Sequence, residues 1–202
     1  MFDRQLRPYI DPPLNILGGH LAVSGVSANA VTLTGLALGL LAAAAIYVGV
    51  FWLALGLILA SRLADGLDGA VARFHGTTDF GGYLDIASDY LFYGAVPLAF
   101  VMHDPATNGV AGAVLLTSFY VNGATFLGYS VLAERRSMRT ASHGVKSIYF
   151  TAGLLEGTET IALFIAFCLW PGWVAELSWA FAGLCFYTAI SRVVLAYKVF
   201  SN

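Results

Sequence analysis

Long apolar stretches, each close to the ~20 residues a helix needs to cross the hydrocarbon core of a bilayer, alternate along this chain with short clusters of turn-forming residues. Setting the apolar runs against those turn signals predicts six helices, over about 27–48, 50–74, 80–102, 107–134, 146–169 and 174–198. Tight breaks separate them near Gly49, at His103-Asp104-Pro105, and at Trp170-Pro171-Gly172-Trp173, whose two Trp residues suit a membrane–water interface. Ahead of the first span, residues 1–22 mix Arg4, Arg7 and Asp11 with Leu6, Tyr9, Ile10, Leu14, Ile16 and Leu17, interrupted by Pro12-Pro13. That pattern predicts a short amphipathic helix lying in the membrane interface. The expected fold is an all-α integral membrane protein, with six transmembrane helices in one domain (23–202) after a juxtamembrane segment (1–22).

Composition supports this picture. Hydrophobic residues make up 58% of the 202 and charged residues only 11%, against about 25% charged in soluble domains. A soluble globular enzyme is thereby excluded. Cys168 and Cys185 both lie inside apolar stretches, where buried thiols are expected in place of a disulfide. No signal-type apolar run follows Met1-Phe-Asp-Arg-Gln, so no cleaved targeting segment is expected.

The net charge of −2 says little, but the placement of the ten basic residues says more. Arg4 and Arg7 precede the first span, Arg73 ends the second, and Arg135, Arg136, Arg139 and Lys146 bracket the loop between the fourth and fifth. Arg192 and Lys198 are near the C-terminus, and Arg62 lies inside the second span. None falls in the three opposite loops. The excess of cations on one side predicts a cytoplasmic-membrane protein with both termini, and the region 65–89, facing the cytoplasm.

Four aspartates then stand out. They occur in Asp65-Gly-Leu-Asp68-Gly69-Ala-Val-Ala72-Arg73 and, after seven residues, Gly81-Gly-Tyr-Leu-Asp85-Ile-Ala-Ser-Asp89. A carboxylate at the bilayer centre costs about 3 kcal/mol or more. Asp65 and Asp68 share one helix face at i, i+3, and Asp85 and Asp89 share another at i, i+4. A short connection makes the two helices antiparallel neighbours, so the four carboxylates can converge. Hard oxygen donors of this kind suit Mg2+ or Mn2+ completed by a substrate phosphate. Gly66, Gly69, Ala70 and Ala72 remove bulk beside them, and Arg73 is available to a phosphate oxygen.

These residues resemble the CDP-alcohol phosphatidyltransferase motif, Asp-x-x-Asp-Gly-x-x-Ala-Arg, eight residues, Gly-x-x-x-Asp-x-x-x-Asp. Every specified residue is present, with a spacer of seven in place of eight. The six-helix layout and Ser27-Ala-Asn29-Ala-Val-Thr32 before the first span are also similar to the family. The resemblance implies a two-metal site on Asp65, Asp68, Asp85 and Asp89, with Asp89 also the general base toward the acceptor hydroxyl. It implies CDP contacts from Asn29, Thr32, Asp65, Gly69, Arg73 and Thr78. It further implies CDP-diacylglycerol as donor, a polar alcohol as acceptor, CMP as leaving group, and a homodimer. Nothing points to nucleic acid.

For the acceptor, Arg135, Arg139, Lys146 and Arg192 favour a phosphorylated polyol such as glycerol 3-phosphate or an inositol phosphate. Glu156 and Glu159, i, i+3 in the fifth span, favour a neutral or amino alcohol such as inositol, serine, choline or ethanolamine. The balance leans to the phosphorylated polyol. Competing readings of the aspartates are helix-packing ion pairs, in which Arg62 could neutralise one acid, and a divalent-cation transporter. Asp79 is expected to cap the third span, and His20, His75, His103 and His143 are assigned no role.

Overall fold

The computed structural model describes residues 3–136, 155 and 157–201. Among these residues the chain is all-helical: α1 (Asp3–Val23), α2 (Ala28–Tyr47), α3 (Phe51–His75), α4 (Asp79–His103), α5 (Pro105–Arg135), α6 (Gly157–Leu169), a 3-10 turn at Pro171–Trp173, and α7 (Val174–Phe200). Boundaries fall within two residues of expectation for five of the six spans. The fifth is described only from Gly157, so its expected start at 146 lies outside the described residues.

Among the described residues, four segments are long and apolar enough to cross a membrane: α2, α4, α5, and 171–200, which contains α7. The chain is a multi-pass membrane protein. Six crossings are more than this count supports. α3 is long enough, but Arg62, Asp65, Asp68 and Arg73 break its apolar character, and the described part of α6 has 13 residues.

The turns explain themselves. Gly49, between α2 and α3, has φ +82, a left-handed conformation that glycine adopts without steric cost. Asp104 caps α5 by accepting from the Thr107 N–H at 3.2 Å, with Pro105 in the first turn. Hydrogen bonding to Thr107 holds this carboxyl below the ordinary carboxylate range. At α4 the cap is Thr78, whose Oγ1 accepts from the Gly81 N–H at 3.0 Å; Asp79 is the first helical residue, and the expectation that it caps is corrected. The hydroxyl reaches the third amide while holding an extended backbone, and the longer acid is left in the first turn to face the helix dipole.

α1 is a second correction. It continues through Pro12-Pro13 where an interruption was expected. Leu14, Gly18 and Ala22 form a buried stripe along it. A Cβ on Gly18 would lie 2.5 Å from Ala70 Cβ, and one on Gly66 would lie 2.8 Å from a Leu14 methyl. α1 therefore occupies the space that small residues open on α3, which supports the helix beyond the prolines.

α2 approaches α3 just as closely. Gly35, Gly39, Ala42 and Ile46 line its buried face, and a Cβ on Gly35 would stand 3.2 Å from Ala64 Cβ and 3.3 Å from Ser61 O. The Ser61 hydroxyl donates to Gly35 O at 2.7 Å across this seam. Gly35→Val is expected to cost about 1–3 kcal/mol through overpacking. It should appear as a lowered unfolding temperature in detergent, whereas Ala44→Val, on the exposed side of the same helix, should leave that temperature unchanged. An aromatic core of Phe92, Phe100, Phe164 and Phe167 ties α4 to α6. α5 pairs with α7, and Cys168 and Cys185 are buried free thiols.

Candidate metal centre between α3 and α4

The site sits where α3 reverses into α4. Residues 76–78 make the connection, and Gly76 at φ +100 takes a backbone conformation that side-chain-bearing residues rarely adopt. The seven-residue spacer is thus absorbed by one tight reversal that brings the C-terminal turns of α3 against the first turns of α4. Carboxylate oxygens from Asp65, Asp68 and Asp85 lie within 4.8 Å of one another. Asp68 is buried, and Asp65 and Asp85 are partly exposed.

Thr32 on α2 orients the most buried acid. Its Oγ1 is 2.6 Å from Asp68 Oδ2 and 3.1 Å from Ala28 O. One hydroxyl proton can serve only one of them, and the shorter, charge-assisted bond to the carboxylate is the stronger.

Asp89 is held differently. Its Oδ1 accepts from Arg62 Nη1 at 2.7 Å, and the same nitrogen is 3.5 Å from Asp65 Oδ1. The Arg62 side chain is only 11% exposed. Its guanidinium lies 3.9 Å above the Phe92 ring, and Nη2 donates to Ser61 Oγ at 3.2 Å. The helix-packing reading of Arg62 is therefore right for one strong pair, Asp89, across 27 residues of sequence, in addition to the nearer Asp65. No spacing in the sequence signals that longer-range pair, although a lone cation in an apolar run marks Arg62 as a residue in need of a partner.

The residues expected to contact CDP lie on α2, on the last turns of α3 and at the cap of α4. Asn29 and Thr78 both face Gly81, where an added Cβ would meet Asn29 Oδ1 at 3.3 Å and Thr78 Oγ1 at 2.9 Å. Gly69 leaves room for Arg73, whose Nη1 would be 3.4 Å from a Cβ there. Arg73 is exposed and donates from Nη2 to Asn15 Oδ1 on α1 at 2.7 Å, a neighbour that α1's composition did not reveal.

The acceptor candidates are spread more widely. Arg135 is exposed in the last turn of α5, and Glu159 is partly buried in the first turn of α6. Arg139, Lys146 and Glu156 lie outside the described residues. Arg192 on α7 donates from Nη1 toward Asn122 O at 2.9 Å, Asn122 Oδ1 at 2.8 Å and Thr125 Oγ1 at 3.1 Å, which fixes it against α5. Tyr90, the residue after Asp89, packs against the same helix, where a Cβ on Gly123 would lie 2.5 Å from its Oη. The start of α6 reaches the same neighbourhood, since a Cβ on Gly157 would lie 3.3 Å from Tyr93 Oη, and that ring is 5.9 Å from the Arg62 guanidinium carbon. Arg136, by contrast, is engaged in closing α7, donating to Val199 O at 3.2 Å and Phe200 O at 2.8 Å.

The profile of the CDP-alcohol phosphatidyltransferase family matches residues 25–191. The chain belongs to that family. It is thereby a membrane-bound transferase of phospholipid biosynthesis. Among curated proteins it is 43% identical to Inner membrane protein YnjF of Escherichia coli over 98% of this chain and 96% of that one. It is 34% identical to the archaetidylinositol phosphate synthase of Pyrococcus horikoshii over 80% of each chain. Among solved structures, the phosphatidylinositol phosphate synthase of Mycobacterium tuberculosis with CDP-DAG bound shares the fold at TM-score 0.71 and 20% identity, covering 91% of this chain and 93% of that one. The same mycobacterial protein has been solved in complex with manganese and citrate, again at TM-score 0.71 and 20% identity, covering 91% of this transferase and 88% of that chain.

Proposed function

We propose that this transferase moves the phosphatidyl group of CDP-diacylglycerol to a phosphorylated polyol and releases CMP, at a divalent-ion site built from Asp65, Asp68 and Asp85. The observation that carries the reading is the convergence of those three carboxylates from two helices within 4.8 Å. Oxygens around Mg2+ stand about 3–4 Å from one another, given bonds of 2.0–2.1 Å. Small side-chain rotations therefore bring this donor set to a hard ion, with Thr32 already fixing Asp68. Mg2+ and Mn2+ both suit it. When bound, such an ion would neutralise the pyrophosphate and the charge developing on the departing CMP.

The chain's own residues divide the remaining work. Arg73 exchanges its neutral partner Asn15 for a phosphate oxygen, a stronger charge-assisted bond. Asn29, Thr78 and Gly69 border the nucleotide side. Asp89 takes the acceptor's hydroxyl proton as that oxygen bonds to the phosphorus bearing diacylglycerol, and the bond from that phosphorus to CMP breaks. Positioning and electrostatics supply most of the rate in such a displacement.

For the acceptor, the names of the archaeal relative and the mycobacterial neighbour join the cations Arg135, Arg139, Lys146 and Arg192 in favouring a phosphorylated polyol. The catalytic unit is 23–202 with six crossings, α3 and the fifth span being the two beyond the four apolar segments. Residues 1–22 lie along the interface, and both termini and the aspartates face the cytoplasm. Bilayer lipid and a second copy of the chain are its partners. Mass spectrometry of the lipid formed tests the acceptor. Glycerol 3-phosphate or inositol 1-phosphate should yield the phosphatidyl product, while product only from inositol, serine, choline or ethanolamine would reverse the assignment.

A further inference from the structure

We propose that Asn122, on α5, is a positioning residue for the acceptor: it aims the Arg192 guanidinium without consuming its charge, and so helps set which head groups the transferase accepts. The inference rests on the phosphorylated-polyol reading above and adds to it a residue that belongs neither to the aspartate motif nor to the cationic set.

The grip is built from one face of α5. Arg192 Nη1 donates toward Asn122 Oδ1 at 2.8 Å, Asn122 O at 2.9 Å and Thr125 Oγ1 at 3.1 Å. Thr125 spends its own proton on Asn122 O at 2.8 Å, so its hydroxyl oxygen meets the arginine as an acceptor. The Phe126 ring completes the contact, its centroid 5.5 Å from the guanidinium carbon. Residues 122, 125 and 126 stand at i, i+3 and i+4 and share that face. Holding Nη1 on three oxygens, with a ring against the carbon, fixes the plane of the guanidinium fork.

The same stretch of α5 receives α4. A Cβ on Gly123 would lie 2.5 Å from Tyr90 Oη, so the α5 backbone and the Tyr90 side chain are in direct contact. Tyr90 follows Asp89, the general base proposed above. Asn122 and Gly123 thus hold Arg192 through one residue and the neighbour of the base through the next, which ties the position of the cation to that of the acid. An acceptor whose phosphate meets Arg192 presents its hydroxyl to Asp89 only at that separation, and such positioning is a large part of the rate.

The chemistry of the grip favours orientation over stability. A carboxylate at position 122 would hold a guanidinium more strongly than an amide does, yet α5 offers an amide, a carbonyl and a hydroxyl. Neutral oxygens fix the cation and leave its charge to act on an anionic ligand. With Nη1 committed to α5, a phosphate meets Arg192 along its Nη2–Nε edge, where a bidentate pair can form.

The test follows CMP release by the full-length protein in detergent with CDP-diacylglycerol, Mn2+ and either glycerol 3-phosphate or inositol 1-phosphate. Asn122→Asp keeps the volume and accepts from Arg192 at least as strongly, so a purely structural role would survive it. The expected result is an unfolding temperature no lower than wild type with the KM for acceptor raised about 10–100-fold, the scale of one hydrogen bond to a charged group. The KM for CDP-diacylglycerol should not move. Asn122→Ala should also raise the acceptor KM, and should add nothing in an Arg192→Gln background, because it acts through the arginine. A normal acceptor KM in Asn122→Asp, or a loss in Asn122→Ala that adds in full to that of Arg192→Gln, would overturn the inference and leave the acceptor reading standing. A wild-type protein that turns over neither phosphorylated acceptor would overturn both.

Discussion

Asp68→Asn is expected to abolish Mg2+- or Mn2+-dependent CMP release, lowering it on the order of 10³-fold, the scale of removing one preorganised charge-stabilising group from a catalytic site. Asp68 is the most buried of the three converging acids and, among the described residues, is tied to a third helix through Thr32 Oγ1 at 2.6 Å. Asparagine preserves the volume and can still accept from Thr32, so α2, α3 and α4 should pack as before. What disappears is one charge and one ion-binding oxygen. The variant should therefore unfold at the wild-type temperature in detergent, bind Mn2+ much more weakly, and fail to turn over. Asp79→Asn, at an exposed acid in the first turn of α4, should leave all three properties unchanged. Full activity in Asp68→Asn would remove the basis for an ion site.

Asp89→Asn separates binding from chemistry. Removing a positioned general base typically costs about 10²–10⁴-fold, and that loss should fall on kcat. CDP-diacylglycerol binding should largely survive, because Asp89 stands apart from the three carboxylates that converge and accepts from Arg62 instead. The amide oxygen of asparagine can still accept that bond, so Arg62 keeps a partner. A variant that binds CDP-diacylglycerol normally, saturates with acceptor and scarcely turns over would support the base assignment. Near-normal turnover would remove it.

Much of the site was legible because helical spacing and loop length are local properties. Asp65 with Asp68 at i, i+3, and a short reversal before Asp85, require only that α3 and α4 be antiparallel neighbours, and the structure gathers those three oxygens. The bonds that tune them were not legible. Thr32 reaches Asp68 across 36 positions and Arg62 reaches Asp89 across 27. Such pairs depend on the rotation of each helix about its axis, which the close seam at Gly35 and Gly39 sets. Gly66 and Ala70 remove bulk beside the acids, and α1 fills that space through Leu14 and Gly18. The prolines of α1 carried a strong local signal that tertiary packing overrode. On α4, a one-residue shift of the cap from Asp79 to Thr78 lies within the resolution of any sequence reading.

The central claim is ion-dependent transfer from CDP-diacylglycerol, and the most direct measurement is CMP release by the purified protein with that lipid and glycerol 3-phosphate or inositol 1-phosphate. CMP should form only when acceptor and Mg2+ or Mn2+ are both present, stop on chelation, and resume when the ion is restored. CMP formation that is indifferent to the ion, or none with CDP-diacylglycerol and any acceptor, would contradict the account.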